Sequence, residues 1–84
     1  MSRPAVLARA DALEPLIVRA LAAYYQTGSN PDLVGGSELA ELDGRRYVVL
    51  RDAYGDVIRV YRVRTDGVLR RMKRPPDELM EALL

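Results

Sequence analysis

The stretch "RRYVVLRDAYGDVIRVYRVRTDGVLRRMKR", residues 45–74, decides the fold. Its apolar residues recur at every second position, which is the period of a strand whose side chains alternate between two faces. Two turn signals divide it. "DAYG" (52–55) suits a type I turn, with Asp52 first and Gly55 in the left-handed bulge position. Asp66-Gly67 suits a two-residue type I′ turn, which needs positive φ at both central residues. Working backward, "SELAEL" (37–42) meets "RRYVVLRD" across a second Asp-Gly, at Asp43-Gly44. The expected sheet is an antiparallel meander of three strands, or four if 38–42 is a strand and not one helical turn.

Upstream the period changes to that of a helix. Leu13, Leu16, Ile17, Ala20, Leu21 and Tyr24 recur at i, i+3, i+4 spacing. Ser2 can cap a first turn with Pro4 just inside it, and Asp11 with Glu14 offers a capping box. The expectation is one N-terminal helix kinked near Pro15, or a short helix running into a longer one over about 11–26. Residues 27–37, "TGSNPDLVGGS", read as a loop, with Gly28 closing the helix. Downstream, Pro75 and Pro76 stop the last strand. Asp77 to Leu84 reads as a short amphipathic helix. Residues 1–84 are therefore expected to form a single small α+β domain.

Composition excludes several kinds of chemistry. The chain has 84 residues, no Cys and no His. Disulfides, Cys/His zinc sites, thiol nucleophiles and imidazole catalysis all fall away. Asp43, Asp52, Asp56 and Asp66 sit at turns, where Asp bonds its own backbone. Ser2, Ser29 and Ser37 have no His to activate them. The paired glycines Gly35-Gly36 lack the Lys and Ser/Thr of a phosphate-cradling loop. No enzyme activity, cofactor or metal is expected. No apolar run is long enough to span a bilayer, and the lack of Cys fits a cytoplasmic protein.

Charge is unevenly distributed. The chain carries +1 overall, whereas residues 59–74 carry +6, leaving −5 for the rest. Twelve of the thirteen basic residues are Arg, which also follows from a GC-rich coding sequence. A two-residue turn at Asp66-Gly67 pairs Val63 with Arg70, Arg62 with Arg71, and Tyr61 with Met72. Arg62, Arg64, Arg71 and Lys73 then share one face, with Arg62 opposite Arg71. Placing Asp52 opposite Asp56 adds Val48, Leu50, Ile58 and Val60 to that face. Tyr47, Val49 and Val57 join Tyr61 on the other. Like charges directly opposite are destabilising, and an anion would relieve them. The expected function is a small non-enzymatic nucleic-acid-binding accessory protein, for DNA or RNA, using those four cations with Tyr54 exposed at a turn tip. The competing reading is a protein-interaction or assembly module. The helix is apolar on most sides, so Ile17, Leu21, Tyr24 and Tyr25 could form a homodimer or partner interface, with the arginines as a solvated rim.

The order helix, three-strand meander, helix is similar to that of the double-stranded-RNA-binding domain. Residues 55–74, "GDVIRVYRVRTDGVLRRMKR", also resemble the sheet of the RelE/ParE toxin family, which implies a small RNase as a further expectation. Neither resemblance carries a site residue onto this chain.

Overall fold

Pro15 opens a helix and does not bend one. In the computed structural model, which describes residues 5–84, helix α1 spans Pro15–Gln26. Proline suits this first position because the N–H it lacks would have no intrahelical partner. Glu14 is the N-cap, and its carboxylate accepts from Leu16 N at 2.7 Å and Ile17 N at 3.1 Å. Gly28 closes the helix at φ +84°, the left-handed conformation expected there.

The segment before α1 departs from expectation. Val6–Arg9 is a strand, β1, and not part of a helix. Ala and Leu are strong helix formers, but propensity is small per residue and pairing with an open sheet edge overrides it. Its partner is β2, Val34–Leu42, with Leu7 opposite Ala40. Ser37 holds the end of this ladder: Ala10 N donates to Ser37 O, and Ser37 Oγ donates to Ala10 O, both at 3.0 Å. The helix start expected at Ser2 and Pro4 lies outside the described residues. β2 also takes in 34–37 from the expected loop, leaving a 3₁₀ turn at Pro31–Leu33.

Strands β3 (Arg45–Asp52), β4 (Val57–Val63) and β5 (Leu69–Arg71) continue the meander. The sheet has five antiparallel strands in the order β1-β2-β3-β4-β5, not three or four. Helix α2, Asp77–Leu83, follows. The α+β class and the two-helix frame are as the patterning indicated. The added first strand departs from the helix-first order that likened the chain to the double-stranded-RNA-binding domain.

Two one-residue steps set which side chains share a face. The turn at Asp43-Gly44 is type I′, with φ +51° and +76°. The turn at Asp66-Gly67 is not, because only Gly67 has positive φ, at +83°. Arg64 N donates to Val68 O at 2.9 Å, so Thr65, Asp66 and Gly67 make a three-residue loop with a glycine bulge. Arg62 therefore faces Arg70, Tyr61 faces Arg71, and Val63 faces Leu69. The second step lies between β3 and β4. Arg51 faces Val57 while Leu50 faces Arg59, leaving Ile58 as a bulge. Each step moves one strand's side chains to the other face.

The outcome is a sheet buried on both sides. On one face α1 packs Ile17, Ala20 and Tyr24 against Val48, Leu50, Tyr61 and Val63. On the other, Leu79 and Leu83 of α2 pack against Ala40, Leu42, Tyr47, Val49 and Val60. Leu69 joins the α1 layer and Met72 the α2 layer, so the observed register gives each apolar residue of 68–72 except Val68 a core neighbour. Arg51 ties α2 down. Its Nε pairs with Glu38, Nη1 donates to Gly55 O at 2.7 Å, and Nη2 donates to Leu83 O at 2.9 Å.

Gly35 marks the tightest backbone approach. It is the extra residue where β2 slips against β3 between Val34 and Gly36. A Cβ there would lie 2.6 Å from Ala53 Cα and 2.8 Å from Asp52 O, whereas one at Gly36 meets nothing within 4 Å. Backbone cannot move aside as a flexible side chain can. Gly35→Ala is expected to cost about 1–3 kcal/mol, as overpacking does, and Gly36→Ala to stay within about 0.5 kcal/mol. Paired thermal melts check this; equal melting temperatures would remove the close-approach argument.

Candidate nucleic-acid interface

The corrected register redistributes the arginines. Arg62 on β4 faces Tyr47 of β3 on one side and Arg70 of β5 on the other. Directly paired residues share a face, so all three lie on the α2 side. Arg45 shares the side of Tyr47, two residues along β3, and Arg64 continues on the side of Arg62. Four guanidinium groups thus lie on one face, at one end of the sheet, from three adjacent strands. Arg45, Arg64 and Arg70 are exposed and Arg62 is half-buried.

This set differs from the one the sequence indicated. Arg62 and Arg64 stay together, but Arg71 faces Tyr61 on the α1 side. Lys73 follows the end of β5 in an exposed bend with Arg74. The like-charge pair persists with a changed partner, as Arg62–Arg70 and not Arg62–Arg71. Arg70 was missed because Asp-Gly can close a hairpin in two ways, and "TDG" carries the signal for both. Arg45 was missed because the pairing of β3 with β4 was offset by the bulge.

Few acids balance these cations. Among the described residues, the ion pairs within 4.0 Å are Arg51–Glu38 and Arg64–Asp66, the latter at 3.5 Å and exposed. Arg45, Arg62 and Arg70 meet no carboxylate within that distance. Arg62 Nε is buried and meets no acceptor among the described residues. Asp66 beside the cluster, and Asp52 at the far end of β3, serve turns, as their positions suggested. Asp52 accepts from Tyr54 N at 2.9 Å and Asp56 N at 3.0 Å, and Asp66 accepts from Val68 N at 3.1 Å. Tyr54 stands at its turn tip, exposed.

The residues read as a possible interface divide between core and surface. Ile17 and Tyr24 are buried within this chain's own α1 layer, and Leu21 is packed half-buried against it. Tyr25 is exposed, and with Val18 and Ala22 it makes an outward stripe on α1. Among the described residues no group of three or more His, Cys, Asp or Glu side chains could hold a metal ion. No helix there is long and apolar enough to cross a membrane.

Tyr61 carries the one distinct perturbation of acidity. Burial pushes its hydroxyl above the ordinary tyrosine range, while Arg59 and Arg71 beside it pull less strongly the other way. A phenol that ionises later when folded stabilises the fold below its ordinary value of 10.0. That contribution is lost as pH rises above this value, because the unfolded chain then releases the proton first. Its hydroxyl is buried beside Arg59 and, among the described residues, makes no hydrogen bond of good geometry. Tyr61→Phe is therefore expected to hold stability at neutral pH within about 1 kcal/mol. It should also remove a tyrosinate transition above the ordinary tyrosine range in an absorbance titration at alkaline pH. A titration unchanged by the substitution would contradict the assignment.

No family model, curated protein or solved structure matches the chain.

Proposed function

We propose that the chain is a non-enzymatic nucleic-acid-binding protein whose contact surface is the α2 side of the β3–β4–β5 end. The observation that carries this reading is the convergence of Arg45, Arg62, Arg64 and Arg70 with a single carboxylate, Asp66, in ion-pair range of them. Holding Arg62 directly opposite Arg70 costs free energy in isolation, and phosphate groups would turn that repulsion into attraction. Arginine presents a planar fork suited to phosphate oxygens.

Phosphate contacts release condensed counterions, so the salt dependence of binding counts them. Four contacts give a slope of log K on log salt of about −3.6 on duplex DNA, at roughly −0.9 per phosphate. The expected result is a shift of double- or single-stranded DNA or RNA in a gel, weakened steeply by salt. Arg62→Glu with Arg70→Glu should abolish it, and Arg71→Glu with Lys73→Glu should leave most of it, both variants being confirmed as folded by melting. Binding indifferent to salt, or equal loss in both pairs, would sink this surface as the site.

A second reading, self-association, is favoured by the exposed stripe Val18, Ala22 and Tyr25 on α1. In so small a chain, helix surface left uncovered is a ready interface. Light scattering should then report a dimer that Tyr25→Glu with Val18→Glu returns to monomer. A monomer across the accessible concentration range would exclude it.

A further inference from the structure

The α1 side of the same strands holds a separate cluster that the surface above does not use. Arg59 and Tyr61 are alternate residues of β4 and point to the same face, and Arg71 stands directly across from Tyr61. The Arg59 guanidinium lies over the Tyr24 ring, its carbon 5.0 Å from the centroid. A cation over an aromatic face is held by the ring quadrupole, but that contact leaves the in-plane N–H groups unsatisfied. Nε and Nη1 of Arg59 and the Tyr61 hydroxyl are buried and, among the described residues, make no hydrogen bond of good geometry, although the Arg59 side chain lies beside that hydroxyl. Among the described residues no carboxylate lies within 4.0 Å of Arg59 or Arg71.

Buried donors are almost always paired in folded proteins, and a charged one left unpaired is the costlier kind. Here three unpaired polar atoms occur on two side chains of one strand face, beside a second cation. The charge here is all positive: Arg59 and Arg71 flank a neutral phenol. The ligand such a cluster fits is a tetrahedral oxyanion, which has enough acceptor oxygens for two guanidinium forks and a hydroxyl at once. Arg59 is half-buried and Arg71 exposed, so the cluster is open on the Arg71 side. Screening at the half-buried Arg59 is weaker than at a fully exposed arginine.

We propose that Arg59, Tyr61 and Arg71 form a binding site for a phosphate group on the α1 face, distinct from the arginine surface on the α2 face. Arg59 supplies the fork, held in orientation by Tyr24. Arg71 neutralises the second charge, and the Tyr61 hydroxyl donates the remaining hydrogen bond.

The test is a titration of the isotopically labelled chain followed by NMR at the arginine Nε–Hε and tyrosine signals. The probes are inorganic phosphate, acetate and a short oligonucleotide, at constant ionic strength. Phosphate is expected to shift the Arg59 Hε signal saturably, and Arg59→Met to weaken that binding about tenfold or more. Arg59→Lys keeps the charge and loses the fork, so it should also weaken binding. Arg71→Gln, at an exposed position, should weaken it without disturbing the fold. No saturable shift at Arg59, unchanged affinity in Arg59→Met and Arg71→Gln, or an equal response to acetate would overturn the proposal. A shift at Arg59 with the oligonucleotide as well assigns the phosphate to nucleic acid, and a shift with inorganic phosphate alone assigns it to a small molecule; both support the site. The two surfaces fail separately. Arg62→Glu with Arg70→Glu should leave phosphate binding at Arg59 intact, and Arg59→Met should leave most of the duplex affinity.

Discussion

Four consecutive side chains of the central strand β3, Tyr47, Val48, Val49 and Leu50, are all removed from solvent. In an antiparallel sheet, neighbours along a strand point to opposite faces. Burying four in a row therefore requires cover on both sides at the same point. A chain of 84 residues has one way to provide it here: α1 precedes the last four strands and takes one face, and α2 follows them and takes the other. The rest of the fold is arranged around that demand. β2 and β4 flank β3, β1 and β5 form the edges, and neither helix layer would be closed by a sheet that packed on one side only.

α2 is short for that task. Seven residues make a marginal helix by themselves, and it buries two leucines, Leu79 and Leu83. Arg51 reinforces it from the sheet. One guanidinium joins Glu38 of β2, the turn carbonyl of Gly55 and the helix carbonyl of Leu83. Its Nη2 satisfies a carbonyl of the last turn of α2, which has no intrahelical donor. Because Arg51 sits next to the Ile58 bulge, the irregularity that reorients β3 against β4 also sets the side chain that closes the second layer.

The same two irregularities sort the cations. With a two-residue turn in place of the glycine loop, Arg71 and Lys73 would share the face of Arg62 and Arg64, and Arg70 would share that of Arg59. With the bulge and the glycine loop, Arg62 and Arg70 meet on the α2 side, with Arg45 and Arg64 nearby, while Arg59 and Arg71 flank Tyr61 on the α1 side. Two electropositive surfaces back to back on one hairpin differ in kind. One is exposed and spread over three strands. The other is compact, partly buried and braced by an aromatic ring.

What the sequence determined by itself was local. The period-two pattern of 45–74 specifies strands, the i, i+3, i+4 spacing up to Tyr24 with Gly28 after it specifies a helix and its end, and three Gly-containing turns place the hairpins. Each of these depends on a residue's own backbone preference or on its near neighbours. Prolines 75 and 76 with Asp77 and Glu78 likewise announce α2. Val6–Arg9 was not legible as a strand, since "AVLAR" favours a helix until β2 offers an edge that lies 29 to 35 positions along the chain, from Arg9↔Glu38 to Val6↔Glu41. Nor was the register at two of the three hairpins, because a slip of one residue leaves the apolar count on β5 nearly unchanged while exchanging its faces. Only the tertiary structure decided between those registers, by seating Leu69 with Val63 under α1 and Met72 with Val60 under α2. Packing against helices that lie far along the chain carries that information, and it is this packing that places Arg70 beside Arg62 and leaves Arg59 against Tyr24.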